Sequence, residues 1–448
     1  MAISATKTPL ERFLGLFAEV KPGEAGTALL LTLNIFLILI SYLIMKPVRE
    51  ALILSETGPE FKAYMAAGMT FLLLFTVPLY AKLVSRFSRQ SLINGVTFFF
   101  AACLVVFWLL ARMKVPLGVT FFIWIGIFNV VVIAQFWSFA NDIYTEEQGK
   151  RLFAIIAFGA SAGAVFGPQI AKAFVRAIGP YGLLLTAGGI LLLSLFFTNI
   201  VNARERARER RPEEKAESKE EPIKKGGAYK LVFGSRYLLA VALLILFLNW
   251  VNTTGGYILD RVVSEKAVEA VAAQPGLDEK VFYTEFYGGF YGVVNVAGLL
   301  IQLFLVSRIL KYFGVRVALM ILPVIALAGY MCIAFFPVLS LIRWTKTAEN
   351  ATDYSLQNTL RGILFLPTTR EEKYKAKQAI DTIFVRIGDA LSGLLVFVGT
   401  HLAFQTKHFA MVNLSFVVVW LGLAAFVGKE YLKLAKKRSE ERSEEACA

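Results

Sequence analysis

Long, almost uninterrupted apolar runs follow one another from Ala28 to beyond Trp420. Few folds accept such a chain. A helix needs about 20 apolar residues to cross a bilayer. Inside hydrocarbon the backbone must satisfy its own hydrogen bonds, so only helices and closed barrels can span it. The runs are too long for barrel strands and lack their alternation. We therefore expect an all-α integral membrane protein with twelve transmembrane helices in two six-helix bundles. The expected spans are 26–55, 61–82, 92–112, 117–140, 150–174 and 180–200, then 236–258, 281–306, 313–334, 336–364, 376–402 and 409–428. Composition agrees: 57% of the 448 residues are hydrophobic and 18% are charged, against about 25% charged in a soluble domain. This excludes a disordered chain, a disulfide-rich secreted domain and a conventional cytosolic enzyme.

The longest polar stretch, Val201 to Lys230, holds ten Lys/Arg against seven Asp/Glu, and offers no apolar face to bury. It is expected to be a linker. The division is then 1–200, an amino-terminal six-helix bundle; 201–230, a charged cytoplasmic linker; 231–428, a carboxy-terminal six-helix bundle; and 429–448, a charged cytoplasmic tail. Lys82, Arg86, Arg89, Lys150, Arg151, Arg308, Lys311, Arg316 and the stretch Arg370 to Lys377 fall on the side of the linker and tail. Basic loops stay in the cytoplasm, so a multi-pass protein of the cell membrane with both termini cytoplasmic is expected. Pro47 is expected to kink the first span. The first 25 residues read as an amphipathic surface segment, not a cleaved signal. Two related halves place a substrate site at their interface, near the middle of the membrane.

The formal charge of +14 belongs first to topology and second to an anionic substrate. The lipid bilayer is the expected surrounding partner and no nucleic acid polymer is expected. A monomer is entertained as the assembly state.

Charged residues inside spans cost at least about 2.5–3.5 kcal/mol each and usually face a cavity or pair with one another. The tenth span carries the densest set: Arg343, Lys346, Glu349 or Asn350, Asp353, Gln357 or Asn358, and Arg361 recur every three or four residues on one helical face. This face suits a water-filled pathway, or else a re-entrant or surface helix. In the first span Lys46 and Arg49 stand three apart, beside Glu50. They present two cations to one anion, or form an ordinary charged helix end. Asp381, Arg386 and Asp389 lie in the eleventh span, where Arg386 has Asp389 or Glu285 of the eighth span as structural partners, or contacts substrate. Phe136-Trp137-Ser138-Phe139-Ala140-Asn141 ends the fourth span as an interfacial aromatic belt or as a surface on which a ring stacks. Gly159, Gly163 and Gly167 form a small-residue stripe for close helix packing.

No phosphate loop of the Walker type, HExxH, CxxC or GxSxG is present. Cys103, Cys332 and Cys447 have no metal or disulfide spacing, and His401 and His408 are the only histidines. No enzyme, cofactor or metal site is expected. A faint internal repeat relates Tyr144-Thr145-Glu146-Glu147 to Lys150-Arg151 with Arg370-Glu371-Glu372-Lys373 to Lys377.

Three segments together resemble a family. Tyr42-Leu43-Ile44-Met45-Lys46-Pro47-Val48-Arg49-Glu50-Ala51-Leu52 resembles the first-helix motif of the ATP/ADP translocases of plastids and intracellular bacteria, also called the nucleotide transporter or NTP/NDP exchange family. Phe136 to Asn141 followed by Lys150-Arg151 resembles its fourth-to-fifth-helix signature. Asp353-Tyr354-Ser355-Leu356, Arg361, Leu366-Pro367 and Lys375-Ala376-Lys377-Gln378-Ala379-Ile380-Asp381 resemble its tenth-to-eleventh-helix signature. The resemblance implies a distant branch of the major facilitator fold and exchange of ATP for ADP, with no cofactor. It matches the family's cations to Arg49 (with Lys46), Arg361, and Lys375 with Lys377. At two positions the chain departs: the family's fourth-helix and seventh-helix glutamates fall near Ile125 and Gly255.

The expected function is a transporter exchanging nucleotides or related phosphorylated anions by alternating access. Lys46, Arg49, Lys346 and Arg361 would meet phosphates, Glu349 and Asp353 would hold those cations in the empty state, and Asn141 and Asn358 would contact the base or ring. The alternative is a proton-coupled carrier of another solute, with Asp353 or Glu285 as proton carrier.

Overall fold

The computed structural model describes Pro9, Glu11 and residues 19–209, 228–369 and 371–447. The bulk of the expected linker (210–227), most of the first 18 residues and Arg370 lie outside them. The described residues are helical almost throughout: α1 (Ala25–Arg86), α2 (Arg89–Arg112), α3 (Gly118–Ile143), α4 (Glu146–Glu209), α5 (Ala228–Gly234), α6 (Arg236–Ala273), α7 (Glu279–Leu300), α8 (Val306–Phe335), α9 (Leu339–Thr352), α10 (Asn358–Ile363), α11 (Lys377–Ala379), α12 (Val385–His401) and α13 (Thr406–Cys447). Among the described residues, eight helical stretches are long and apolar enough to cross a membrane.

The longest helices are not straight. α1, α4 and α8 contain glycines in the left-handed region: Gly58 (φ 82°), Gly179 (φ 71°) and Gly314 (φ 72°). Glycine adopts this conformation without a Cβ clash. Pro59 and Pro180 follow two of them, and a proline disfavours the α conformation in the residue before it. The break in α1 therefore falls at Gly58. Pro47 lies within the helical run that ends at this break. Past position 200, α4 runs on to Glu209, through residues (Ala203, Arg204, Glu205, Arg206) with high helix propensity. The tail is likewise helical, extending α13 to Cys447, with Lys433–Glu430, Lys436–Glu440 and Lys437–Glu441 pairs along it.

The described residues fall into two compact units. One contains those of Met1–Glu56, Phe71–Glu217 and Ala270–Gly292; the other those of Thr57–Thr70, Ser218–Glu269 and Val293–Ala448. In the first unit Phe100, Phe107, Phe121, Trp124 and Phe128 join α2 to α3 in one aromatic core. The stripe Gly159, Gly163, Gly167 lies against α1: a Cβ at Gly163 would sit 2.5 Å from the Phe36 carbonyl oxygen, and one at Gly167 2.7 Å from Leu43 Cβ. Close backbone packing is thus what these glycines do. Polar ties fix the ends of this unit. Arg151 pairs with buried Glu24 at 3.0 Å and donates to the Glu19 carbonyl at 2.6 Å. Burial alone would raise the Glu24 carboxyl, but hydrogen bonds from Arg151 and the Lys21 N–H outweigh it and hold the group below its ordinary value. At the other end Lys280 donates to Glu56 (3.1 Å) and to Tyr181 (2.8 Å).

The second unit has its own ties. Asn413 donates to the Val251 carbonyl at 3.0 Å, joining α13 to α6. Lys62 pairs with Asp260 at 2.7 Å, and Tyr257 donates to Glu60 at 3.0 Å. Gly388 lies against the backbone of α6 at Leu246.

Candidate functional site

In the first unit α1 alternates buried and accessible positions with helical period. Tyr42, Lys46 and Arg49 are half-buried, while Leu43, Ile44, Met45, Pro47, Val48 and Glu50 are buried. The three accessible residues share one face. Lys46 Nζ stands 4.0 Å over the Tyr291 ring, and the Tyr291 hydroxyl donates to Glu50 at 2.9 Å. Arg49 pairs with Glu50 and lays its guanidinium 5.0 Å from the Phe122 ring centre. Glu50 is fully buried. The helix continues past these charges to Gly58, so they form an internal cluster and not a charged helix end facing water. Arg49, Tyr291 and Glu50 are joined directly, and Lys46 stands over the Tyr291 ring.

The second unit holds a denser polar network. Lys346, only 2% exposed, places Nζ 2.6 Å from Glu349 Oε2, 2.6 Å from Asn252 Oδ1 and 3.1 Å from the Asn252 carbonyl oxygen. The Tyr330 hydroxyl donates to the same Glu349 oxygen at 3.1 Å. Glu349 Oε1 is buried without a hydrogen-bond partner. Glu349 lines a small cavity with Asn252, Asp353 and the apolar side chains of Leu248, Val251, Leu322 and Trp420. Arg361 reaches Asp353 at 3.4 Å.

A local irregularity makes that last contact. Asp353–Gln357 is a π-helical segment between α9 and α10. One α turn of 3.6 residues plus one wider turn of about 4.4 spans close to eight residues. Asp353 and Arg361, eight apart, therefore lie one above the other. The expected polar face of this helix is graded: Lys346, Glu349, Asn350 and Gln357 are buried, Arg343, Asp353 and Arg361 are half-buried, and Asn358 is exposed.

The other expected residues are placed as follows. Arg386 pairs with Asp389 at 3.2 Å, and Thr253 donates to Asp389 at 2.7 Å; Glu285 pairs instead with Arg176, at 2.8 Å. Lys375 pairs with Glu371 at 2.6 Å and Lys377 with Asp381 at 2.8 Å. Asn141 and Asn358 are exposed. Trp137 packs edge-on against Phe136 and Phe153. Thus Lys46, Arg49 and Glu50 come together in the first unit, and Lys346, Glu349, Asp353 and Arg361 in the second. Among the described residues no three His, Cys, Asp or Glu side chains cluster as metal ligands.

Sequence reasoning missed Tyr42, Phe122, Tyr291, Asn252 and Tyr330. Tyr42 had a signal, since it stands four residues before Lys46 on the same face. The others meet the charges only through the fold.

Ile125, near which the resemblance would place a carboxylate, is fully buried in the aromatic core. At Gly255 a Cβ would collide with the Tyr330 hydroxyl and lie 3.0 Å from Lys346 Nζ. The negative charge beside that lysine is supplied from α9 by Glu349.

Residues 27–348 match the Major Facilitator Superfamily, and residues 346–431 match the family described as TLC ATP/ADP transporter. The second match begins at Lys346 and contains Glu349, Asp353 and Arg361. "ADP,ATP carrier protein 1" of Chlamydia pneumoniae is 22% identical over 99% of this chain and 99% of its own length. The "Plastidic ATP/ADP-transporter" of Solanum tuberosum is 23% identical over 71% of this chain and 54% of its own. In structure the chain is similar to a bacterial homologue of the iron transporter ferroportin in an inward-facing state, with a TM-score of 0.62, 15% identity, and coverage of 90% of this chain and 98% of that one. That likeness shows the fold alone. The match over 27–348 takes in most of the chain, so the protein belongs to the Major Facilitator Superfamily and carries a carboxy-terminal segment of the TLC ATP/ADP transporter type.

Proposed function

We propose that the protein is a membrane carrier that exchanges adenine nucleotides, or close phosphorylated relatives, by alternating access. The observation that carries this reading is the state of its cations. Lys346 is held by Glu349 and Arg361 by Asp353, and Arg49 is held by Glu50. A polyphosphate offers several charged oxygens to guanidinium and ammonium groups. It can take these cations from their carboxylates, and the carboxylates take them back when it leaves. A buried cation stripped of both partners is costly, so the empty carrier rests with its pairs closed. The names of the Chlamydia and plastid relatives support ADP and ATP as the exchanged pair.

The count of crossings follows the same reading. Three of the eight long apolar helices contain a left-handed glycine, and Leu339–Ile363 adds a shorter, polar helix. This supports twelve crossings. The Lys/Arg distribution supports both termini in the cytoplasm and a place in the cell membrane.

Binding by the purified chain tests the ligand class. ATP and ADP at about 100 times their Kd should each stabilise the fold by about 2.7 kcal/mol, read as a higher melting temperature, whereas adenosine should not. No shift with any phosphorylated ligand would contradict the reading.

A further inference from the structure

We propose that the ring of Tyr42 is the stacking platform for the base of the nucleotide. This rests on the reading of the site as a nucleotide site and adds to it the residue that takes the base.

Four rings of the first unit form one column. Tyr42 stacks on Phe128 with centroids 6.2 Å apart and planes inclined by 19°. Phe128 stacks on Trp124 at 5.7 Å and 23°, and Trp124 on Phe121 at 5.6 Å and 19°. Phe100 meets Phe128 edge-on at 5.2 Å, and Phe107 meets Trp124 edge-on at 5.4 Å. These offset and edge-on contacts lie in the favourable range for aromatic pairs. Phe121, Trp124 and Phe128 are buried, whereas Tyr42 is half-buried. The column thus ends at the surface of α1 in one flat, firmly backed ring.

The phosphate-binding residues stand in line with that ring. Lys46 is one turn further along α1 and Arg49 nearly two, a rise of about 6 Å and about 10 Å. All three occupy the same accessible face. The base and the terminal phosphates of a nucleotide are separated along one extended molecule. A base on Tyr42 therefore leads its phosphates towards Lys46 and then Arg49. A rigid backing means little ordering cost on binding. Stacking accepts every base, because every base has a π face. The platform therefore selects for a nucleotide over a bare polyphosphate, and not for one base over another.

The test compares ADP with inorganic pyrophosphate, which keeps two phosphates and has no base, on the purified full-length chain by titration calorimetry. Wild type should bind ADP more tightly than pyrophosphate. Tyr42→Leu should weaken ADP by about 5- to 150-fold, the range for loss of one base–aromatic stack, and leave pyrophosphate unchanged. Tyr42→Phe should keep ADP affinity. Retained pyrophosphate binding also establishes that the Leu variant is folded. Equal ADP binding by wild type and Tyr42→Leu overturns the platform and leaves the nucleotide reading standing. So does a parallel loss of both ligands in the Leu variant, or equal binding of both ligands by wild type. If wild type binds neither, the nucleotide reading itself falls, and the platform with it.

Discussion

Lys346→Met should abolish exchange and lower stability by about 3–5 kcal/mol, the cost of breaking a buried ion pair from one side. The expectation comes from the accounting of hydrogen bonds around its ammonium. Glu349, Asn252 Oδ1 and the Asn252 carbonyl lie within 3.1 Å of Nζ. Glu349 is 4% exposed and its second oxygen already lacks a partner. Without the lysine its remaining support is the Tyr330 hydroxyl at 3.1 Å. The variant Lys346→Met/Glu349→Gln removes both charges together, and replacing a whole buried pair is often close to neutral. It should recover most of the stability while still failing to transport. Denaturation midpoints and nucleotide uptake, measured on the same preparations, separate the two effects. Recovery of uptake in the double variant would show that Lys346 serves the fold alone.

Arg49→Ala should weaken ADP binding by at least about 30-fold, corresponding to the lower end of the 2–5 kcal/mol lost when one partner of a buried charge pair is truncated. Arg49 is the more accessible member of its pair, at 18% side-chain exposure against 0% for Glu50. It is therefore the side that a phosphate reaches. Arg49→Lys should recover only part of the affinity. An ammonium cannot offer the planar fork that grips two phosphate oxygens, and it stacks less well against Phe122. Calorimetric titration of the three proteins with ADP gives the order. Equal affinities in all three would remove Arg49 from the site.

Much of the fold was legible in the chain because lipid allows so few solutions. Length and apolarity marked the spans, and Gly58-Pro59 and Gly179-Pro180 punctuate adjacent ones. The break at Gly314 carries no such signature, since Val315 follows it. The helical continuation to Glu209 was hidden because charged residues with good helix propensity read equally as linker. In the site, spacing alone put the α9–α10 charges on one face. It did not reveal their partners, since the contacts of Lys346 with Asn252 and of Glu349 with Tyr330 join residues distant in sequence. The π segment at Asp353–Gln357, which brings Arg361 over Asp353, leaves no mark in the hydrophobic pattern. Trp137 drew attention by its position beside Asn141, yet it is engaged with Phe136 and Phe153, while the supported ring beside the cations is Tyr42.

The central claim, obligatory exchange of nucleotides, is tested most directly by uptake of labelled ATP into proteoliposomes with and without ADP inside. The pairing of Arg49, Lys346 and Arg361 with carboxylates of their own units predicts rapid uptake when ADP is preloaded, and little into empty vesicles. Equal uptake into both would contradict exchange, and no uptake by folded protein under either condition would contradict a nucleotide substrate.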